Sequence, residues 1–116
     1  MDNLPKPISA NALNEWLHSD YEKPTIIDVR ENLELDIVRF PFTNIHYPIS
    51  HVSLKNVSEK LKNMCDKEIV VLCHMGVRSY NFGLWMLENK IVNEIWNLEE
   101  GIDGWSRYID SSLTRY

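Results

Sequence analysis

The sequence predicts an α/β fold in which a parallel β-sheet is flanked by helices on both faces. Short β-branched or apolar runs alternate along the chain with segments that carry apolar residues at helical spacing. The run at 68–73 is almost wholly apolar and shows no alternation, which is typical of a central parallel strand covered on both faces. This order of elements indicates βαβ units, whose active sites lie at the carboxyl ends of the strands.

The first elements are predicted from a capping residue and short apolar runs. Residues 9–19 are predicted as a helix, because Ser9 is a favourable N-cap and the apolar residues that follow share one face. The β-branched run at 25–29 follows a proline and is predicted as a buried strand. Residues 31–38 return to helical spacing, and Pro41 ends this second helix.

The remaining elements repeat the same alternation. Each helical segment carries apolar residues three or four positions apart, and each strand is a short apolar run. The predicted ranges are a strand at 45–49, a helix at 50–63, a strand at 68–73, a helix at 79–89, a strand at 95–98 and a helix at 102–109.

Length and charge indicate one acidic globular domain that spans residues 1–116. A chain of 116 residues has the usual size of a domain, and 12 Lys and Arg against 17 Asp and Glu give it a net charge of −5. Nucleic-acid binding is not expected, because attraction to phosphates needs a basic stripe and the sequence has none. No export signal and no membrane-spanning apolar stretch is visible, so we expect a cytoplasmic protein with no membrane contact.

The two cysteines, Cys65 and Cys73, differ in their surroundings. They permit at most one disulfide, which excludes a disulfide-stabilised scaffold and favours a reducing compartment. Cys65 precedes charged residues at a predicted helix end, and we interpret it as a bystander rather than a resolving thiol. The cysteines and the four histidines show no recognisable ligand spacing, so no metal is expected.

The candidate active site is the segment between the third predicted strand and the helix that follows it. It reads Cys73, His74, Met75, Gly76, Val77, Arg78 and Ser79. Unpaired backbone N–H groups at the start of a helix, together with the helix dipole, form a cradle for an anion. Arg78 is the only formal charge between Glu68 and Glu88, so we expect a positive local field that favours the thiolate of Cys73. Most free cysteines are small core residues, but glycine, arginine and serine at this spacing favour a reactive thiol.

Three motifs together resemble the rhodanese-like sulfurtransferase family. They are Ile-Asp-Val-Arg-Glu at 27–31, the Cys73-x-x-Gly76-x-Arg78-Ser79 loop, and Asn97-Leu98 followed by Gly-Ile-Asp-Gly-Trp at 101–105. The resemblance implies a single rhodanese-like domain without metal or organic cofactor, in which Cys73 carries a persulfide between two half-reactions. The thiolate would take sulfur from a small donor such as thiosulfate, and an acceptor, cyanide or a thiol, would then remove it.

The resemblance also implies roles for the loop. Its main-chain N–H groups would bind the substrate sulfur, and these belong to His74, Met75, Gly76, Val77, Arg78 and Ser79. The Arg78 side chain would attract an anionic donor or brace the loop. Met75 and Val77 are expected to form an apolar lip that selects the donor.

Three further residues are interpreted from their positions. Asp28 and Arg30 are expected to give structural support, because an Asp that ends a buried strand beside an Arg usually satisfies neighbouring groups. His74 is expected at the solvent-facing rim, and a role as general base stays open. Glu100 stands where the family commonly has glycine, and we expect its carboxylate near the mouth of the site to weaken anionic donors.

Two alternatives to a free sulfurtransferase stay open. A cysteine phosphatase or arsenate reductase also joins a strand to a helix through a loop with cysteine and arginine. Phosphatase loops of that type place five residues between the two, whereas four separate Cys73 from Arg78, and the shorter ring suits one sulfur atom better than a phosphate. The other alternative is a sulfur-relay module that receives sulfur from one protein and passes it to another.

Overall fold

Strands and helices alternate along the chain, as the computed structural model shows for residues 3–61 and 67–116. In chain order the elements are β1 (Lys6–Ile8), α1 (Ala10–Leu17), β2 (Thr25–Asp28), α2 (Asn32–Ile37), β3 (Ile45–His46), α3 (Leu54–Leu61), β4 (Ile69–Leu72), α4 (Val77–Glu88), β5 (Trp96–Leu98) and α5 (Gly101–Tyr108). A short 3-10 helix at Ile49–His51 precedes α3. Across these described ranges, no helix has the length and apolar character needed to span a bilayer.

The strands of the described residues form one parallel sheet in the order β1-β5-β4-β2-β3. The central strand, β4, pairs with β2 on one side, with Asp28 opposite Leu72, and with β5 on the other, with Val71 opposite Asn97. All residues of β4 are buried, as its unbroken apolar sequence predicts. The α/β fold with a parallel sheet is therefore confirmed, and β2, β4 and β5 bring their carboxyl ends to one edge.

Helices cover both faces of the sheet. Because side chains alternate along a strand, Ile69, Val71 and Cys73 pack on one face and Val70 and Leu72 on the other. The first face contacts Phe82 and Met86 of α4, and the second contacts Leu13 of α1 and Trp105 of α5. Burial on both faces leaves the edge at the carboxyl ends of the strands as the place for a site.

Several boundaries differ from the sequence prediction, and the strand predicted at 45–49 ends already at His46. β1 was not predicted by any pattern, because it contains Pro7 and is a strand only through its pairing with β5 at the sheet edge. The helix predicted at 50–63 begins as a 3-10 turn, α3 starts at Leu54, and the last two predicted residues lie outside the described ranges. α4 begins at Val77, two residues earlier than predicted, because Gly76 caps it in a left-handed conformation.

Candidate active site

Cys73 lies directly after β4, at the carboxyl end of the central strand. Its side chain is 1% exposed and belongs to the apolar cluster between the sheet and α4. The chain then turns through His74, Met75 and Gly76 before α4 begins at Val77. The thiol therefore lies at the amino-terminal end of a 12-residue helix, where backbone N–H groups and the helix dipole favour negative charge.

Two hydrogen-bond donors lie against the Cys73 sulfur. The backbone N–H of Gly76 is 3.1 Å from Sγ, and the hydroxyl oxygen of Ser79 is 3.2 Å from it. The N–H groups in the first turn of α4 have no acceptor within the helix, because no helical carbonyl precedes them. This end of α4 can thus stabilise a negative charge on Sγ of Cys73 or on an atom bonded to Sγ.

The Ser79 hydroxyl is shared between Cys73 and β5. Besides its contact with Sγ, its oxygen lies 2.5 Å from Oδ1 of Asn97. A hydroxyl carries one proton, so Ser79 can donate to Asn97 or to an anionic sulfur, but not to both at once. This completely buried hydroxyl links the nucleophile to β5.

Gly76 determines the shape of the loop. Its φ is 99°, and a Cβ at this position would lie 2.2 Å from the carbonyl oxygen of Glu99. The Gly76 carbonyl accepts a hydrogen bond from Nδ2 of Asn97, at 3.1 Å. The connection after β5 therefore packs so closely on the cysteine loop that only glycine fits.

The amino-terminal end of α5 supports the loop backbone from the other side. The N–H of Ile102 donates to the Cys73 carbonyl at 2.9 Å, and the N–H of Asp103 donates to the His74 carbonyl at 3.0 Å. Gly101 has a φ of 59°, and a Cβ there would lie 2.4 Å from the His74 oxygen. The glycine-containing motif after β5 thus contacts the backbone of the nucleophile itself.

Arg78 is not an unopposed positive charge. Its two terminal nitrogens each donate to the Glu34 carboxylate of α2, at 2.7 Å. These hydrogen bonds, more than any other contact, lower the pKa of Glu34 to about 2 and raise that of Arg78. The charge of Arg78 is thus paired with a carboxylate that α2 brings from 44 positions away, and the expected positive field at Cys73 stays a prediction.

Asp28 and Arg30 form a buried ion pair at the carboxyl end of β2. Their side chains are 1% and 0% exposed, and the Arg30 guanidinium donates to both carboxylate oxygens at 2.9 to 3.1 Å. Asp28 also accepts the backbone N–H of Arg30, at 3.0 Å. Each charge needs the other at this depth, which is the arrangement expected of structural support. That role stays a prediction.

His74 is half-buried, with one face of its ring covered. The ring stacks on Tyr116, with ring centroids 3.9 Å apart and planes inclined by 9°. Its Nε2 is buried and has no hydrogen-bond partner in the part of the chain that the structure describes. Sequence position in the loop does not reveal this contact with a residue beyond α5. The expected rim position of His74, and its role as a general base, stay predictions.

Other predicted residues lie at the surface. Met75 and Val77 are 61% and 69% exposed on either side of Gly76, so the loop presents two apolar side chains. Their role in selecting a donor stays a prediction. Glu100 is exposed and forms an ion pair with Arg107, at 3.7 Å.

Within 3–61 and 67–116, no three or more His, Cys, Asp or Glu side chains form a group that would hold a metal ion. Cys65, the expected bystander, lies outside these ranges.

Three residues of the site were not foreseen from the sequence. Glu34 is the N3 residue of α2, in a capping box with Glu31, so its visible signal was helix capping. Asn97 belongs to the third sequence motif, but the motif does not reveal that Asn97 contacts the cysteine loop. Tyr116 had no signal, because only the tertiary structure brings the segment after α5 onto the loop.

The fold and this loop define a class of α/β protein that holds a cysteine sulfur at a helix terminus, at the carboxyl end of a central parallel strand. Comparison with family models identifies the family. The model of the rhodanese-like domain matches residues 10–108, and the chain belongs to this family. The resemblance drawn from the three sequence motifs is thereby confirmed.

Two proteins similar to this chain carry the word sulfurtransferase in their names. The putative sulfurtransferase YtwF of Bacillus subtilis is 32% identical over 101 residues, covering 86% of this chain and 89% of that protein. The adenylyltransferase and sulfurtransferase UBA4 of Debaryomyces hansenii is 28% identical over 113 residues, which are 94% of this chain but 25% of UBA4. This chain thus spans a quarter of the length of that relative.

A solved structure supports the same fold. SSP1007 from Staphylococcus saprophyticus has a TM-score of 0.70 with this chain at 24% identity, and the match covers 95% of this chain and 99% of that one. At this identity the likeness shows the shared architecture.

Proposed function

We propose that this protein is a sulfurtransferase that carries sulfane sulfur as a persulfide on Cys73. It would move sulfur from a small donor, such as thiosulfate or a persulfide, to cyanide or a thiol. The observation that carries the proposal is the position of Sγ, 3.1 Å from the Gly76 N–H and 3.2 Å from the Ser79 hydroxyl at the start of α4. Such donors are strongest toward an anion where water is excluded, and Cys73 is 1% exposed.

The reaction has two balanced half-reactions. In the first, the Cys73 thiolate attacks the sulfane sulfur of thiosulfate, an S–S bond forms at Sγ, and sulfite leaves with the electron pair of the broken S–S bond. In the second, cyanide or a thiolate attacks the terminal sulfur of the persulfide. The bond to Sγ breaks, Cys73 regains the electron pair as a thiolate, and thiocyanate or a new persulfide leaves.

The loop backbone is the proposed substrate-binding surface. The negative charge alternates between Sγ and the next sulfur, and the N–H groups that begin α4 lie at the terminus where such charge is stabilised. We assign Arg78 to bracing the loop, since both of its terminal nitrogens are bonded to Glu34. Asp28 and Arg30 are assigned to structural support.

The pairing of Arg78 also weakens the phosphatase and arsenate reductase alternatives. Those activities require a guanidinium that is free to bind an oxyanion, whereas the fork of Arg78 is engaged with a carboxylate at 2.7 Å. The loop length also disfavours these activities, because a ring with four residues between Cys73 and Arg78 suits a single sulfur atom.

Protein-to-protein sulfur relay is the second candidate. The observation that favours it is the exposed apolar surface of the loop, where Met75 and Val77 are 61% and 69% exposed. Apolar side chains around a buried nucleophile suit contact with another protein. In UBA4 the matching region is a quarter of a longer chain that is named both an adenylyltransferase and a sulfurtransferase. Slow turnover of thiosulfate and cyanide, with fast transfer from a protein persulfide, would favour relay in a reducing cytosol.

Mass spectrometry after incubation with thiosulfate tests the proposal. The wild-type protein should gain the mass of one sulfur atom, and cyanide should remove it with one equivalent of thiocyanate. Cys73→Ser should show no gain, whereas the matched control Cys65→Ser should behave as the wild type. Hydrolysis of an aryl phosphate without any sulfur adduct, or an adduct retained in Cys73→Ser, would overturn the assignment.

A further inference from the structure

Tyr116 contacts the cysteine loop and two other elements of the site at once. Its ring stacks on His74, the residue after the nucleophile, with 3.9 Å between ring centroids. Its hydroxyl donates to Glu34 at 2.8 Å and accepts from Nη1 of Arg30 at 3.2 Å. A single side chain thus lies on the loop while it is anchored to α2 and to the end of β2.

Neighbouring contacts hold this side chain in place. Arg115 forms an ion pair with Asp103 of α5, at 2.9 Å, and the backbone N–H of Asp103 donates to His74. Burial raises the pKa of Tyr116 to about 12, so its phenol stays protonated and keeps donating to Glu34 at neutral pH. The segment is therefore fixed at two consecutive side chains.

The stacked ring explains an otherwise unfavourable feature of His74. Its Nε2 is buried without a hydrogen-bond partner among the described residues, although His74 as a whole is half-buried. A buried polar nitrogen without a partner is costly. The stack with Tyr116, which is itself bonded through its hydroxyl to Glu34, favours this position of the imidazole beside Cys73.

We propose that Tyr116 is a positioning residue that limits the size of the sulfur donors reaching Cys73. It acts through His74, because the stacked pair closes one side of the loop and leaves the approach beside Met75 and Val77. The site would accordingly take a compact anion such as thiosulfate and discriminate against aromatic thiosulfonates. The part of this inference that concerns sulfur donors rests on the proposed sulfurtransferase function.

Alkylation of Cys73 tests access without requiring sulfur transfer. Iodoacetamide and iodoacetanilide carry the same reactive group and differ by a phenyl ring, and a Cys65→Ser background leaves Cys73 as the thiol measured. Tyr116→Ala should raise the anilide-to-amide ratio of alkylation rates by about fivefold to tenfold, the change expected when a steric clash with the phenyl ring is relieved. Tyr116→Phe, which keeps the stack but loses the anchoring hydroxyl, should give a smaller rise.

The matched control is Tyr21→Ala. Tyr21 is 80% exposed and precedes β2, at the opposite edge of the sheet, so the ratio should not change. Thermal unfolding of each variant verifies that the folded protein is compared. Equal changes for both reagents, or no change in Tyr116→Ala, would overturn the inference.

Steady-state kinetics with two donors completes the test. In Tyr116→Ala the KM for benzenethiosulfonate should fall relative to the KM for thiosulfate, so that the ratio of the two kcat/KM values rises several-fold. If the wild-type protein takes sulfur from neither donor, the proposed function fails, and the alkylation ratio still decides the role of Tyr116. If both donors load Cys73 but the ratio does not move, only the role of Tyr116 fails.

Discussion

Arg78 in the first turn of α4 and Glu34 in α2 are joined by two hydrogen bonds of 2.7 Å each. The same carboxylate accepts the backbone N–H of Glu31 at 2.8 Å and the hydroxyl of Tyr116 at 2.8 Å. Each oxygen thus accepts two hydrogen bonds, which is the capacity of a carboxylate. The cysteine loop is thereby fixed to α2 through a carboxylate with no unused acceptor site.

Arg78→Lys should separate the positive charge from the two-bond geometry. An ammonium cannot form two parallel bonds, so we expect about 1 kcal/mol lower stability and sulfur loading slowed by about tenfold. Time-resolved mass spectrometry and urea unfolding measure the two effects. The control is Arg107→Lys, whose ion pair with Glu100 is exposed and 3.7 Å long, and neither quantity should change there. Unchanged loading in Arg78→Lys would assign the positioning of the loop to its backbone alone.

Glu34→Gln should remove a pH-dependent part of the stability. Folding lowers the pKa of Glu34 from 4.5 to about 2, so its ionised pair stabilises the protein fully above the unfolded value. That contribution is lost as the pH falls from 4.5 to about 2. We expect about 1–2 kcal/mol, less than the pKa difference alone implies, because Arg78 is 34% exposed and solvent screens the pair.

Urea unfolding of both proteins near neutral pH and at about pH 3 measures this difference. The destabilisation caused by Glu34→Gln should be largest near neutral pH and should shrink in acid. Glu22→Gln is the control, since its ion pair is highly exposed and should contribute a few tenths of a kcal/mol. A difference that persists undiminished in acid would show that the charge of Glu34 is not its source.

Local patterns in the sequence were enough to predict most of the fold. The apolar run that became β4 is buried throughout, and Ser9 caps α1 by accepting the backbone N–H of Ala12 at 3.1 Å. Both features depend on residues close together in the chain. β1 was missed because its three residues carry no period of their own and pair only across the sheet with β5.

In the candidate site, too, features set by adjacent residues were predicted and contacts between distant residues were not. The position of Cys73 between a buried strand and a helix follows from adjacent residues, and the sequence predicts it. The partners of the loop come from elsewhere, since Glu34 lies 44 positions before Arg78 and Asn97 lies 21 positions after Gly76. Charge counted along the chain therefore missed the Glu34 carboxylate, because spacing in sequence does not report which helices pack together.

Gly76→Ala should disrupt the cysteine loop more than the same substitution at Gly83 in α4. A φ of 99° is strained for alanine, and the added Cβ would lie 2.2 Å from the Glu99 carbonyl oxygen. We expect at least about 2 kcal/mol of destabilisation and loss of sulfur loading, because the Gly76 N–H moves away from Sγ. Gly83→Ala in α4 is the matched control, since its Cβ would meet side-chain atoms no closer than 3.2 Å. Loading at the wild-type rate in Gly76→Ala would contradict a need for this N–H.

Asn97→Asp tests the link between β5 and the nucleophile. Nδ2 of Asn97 donates to the Gly76 carbonyl at 3.1 Å, and Oδ1 lies 2.5 Å from the Ser79 hydroxyl. A carboxylate keeps the acceptor but loses the donor, and it adds a negative charge where an anionic sulfur must form. We expect stability to fall by about 1–3 kcal/mol and persulfide formation to slow by at least about tenfold. Because both groups are buried, salt should screen this repulsion little, and the loss in rate should persist at high ionic strength.

Asn11→Asp on the exposed surface of α1 is the control for the added charge and should leave loading unchanged. Asn97→Ser separates the two causes, because it removes the donor to Gly76, together with the Oδ1 acceptor, without adding charge. If both Asn97 variants slow loading equally, the lost hydrogen bond to Gly76 accounts for the effect. A larger loss in Asn97→Asp would mean that the neutral side chain of Asn97 keeps competing negative charge away from Cys73. Normal loading in both would show that β5 supports the fold but not the reacting sulfur.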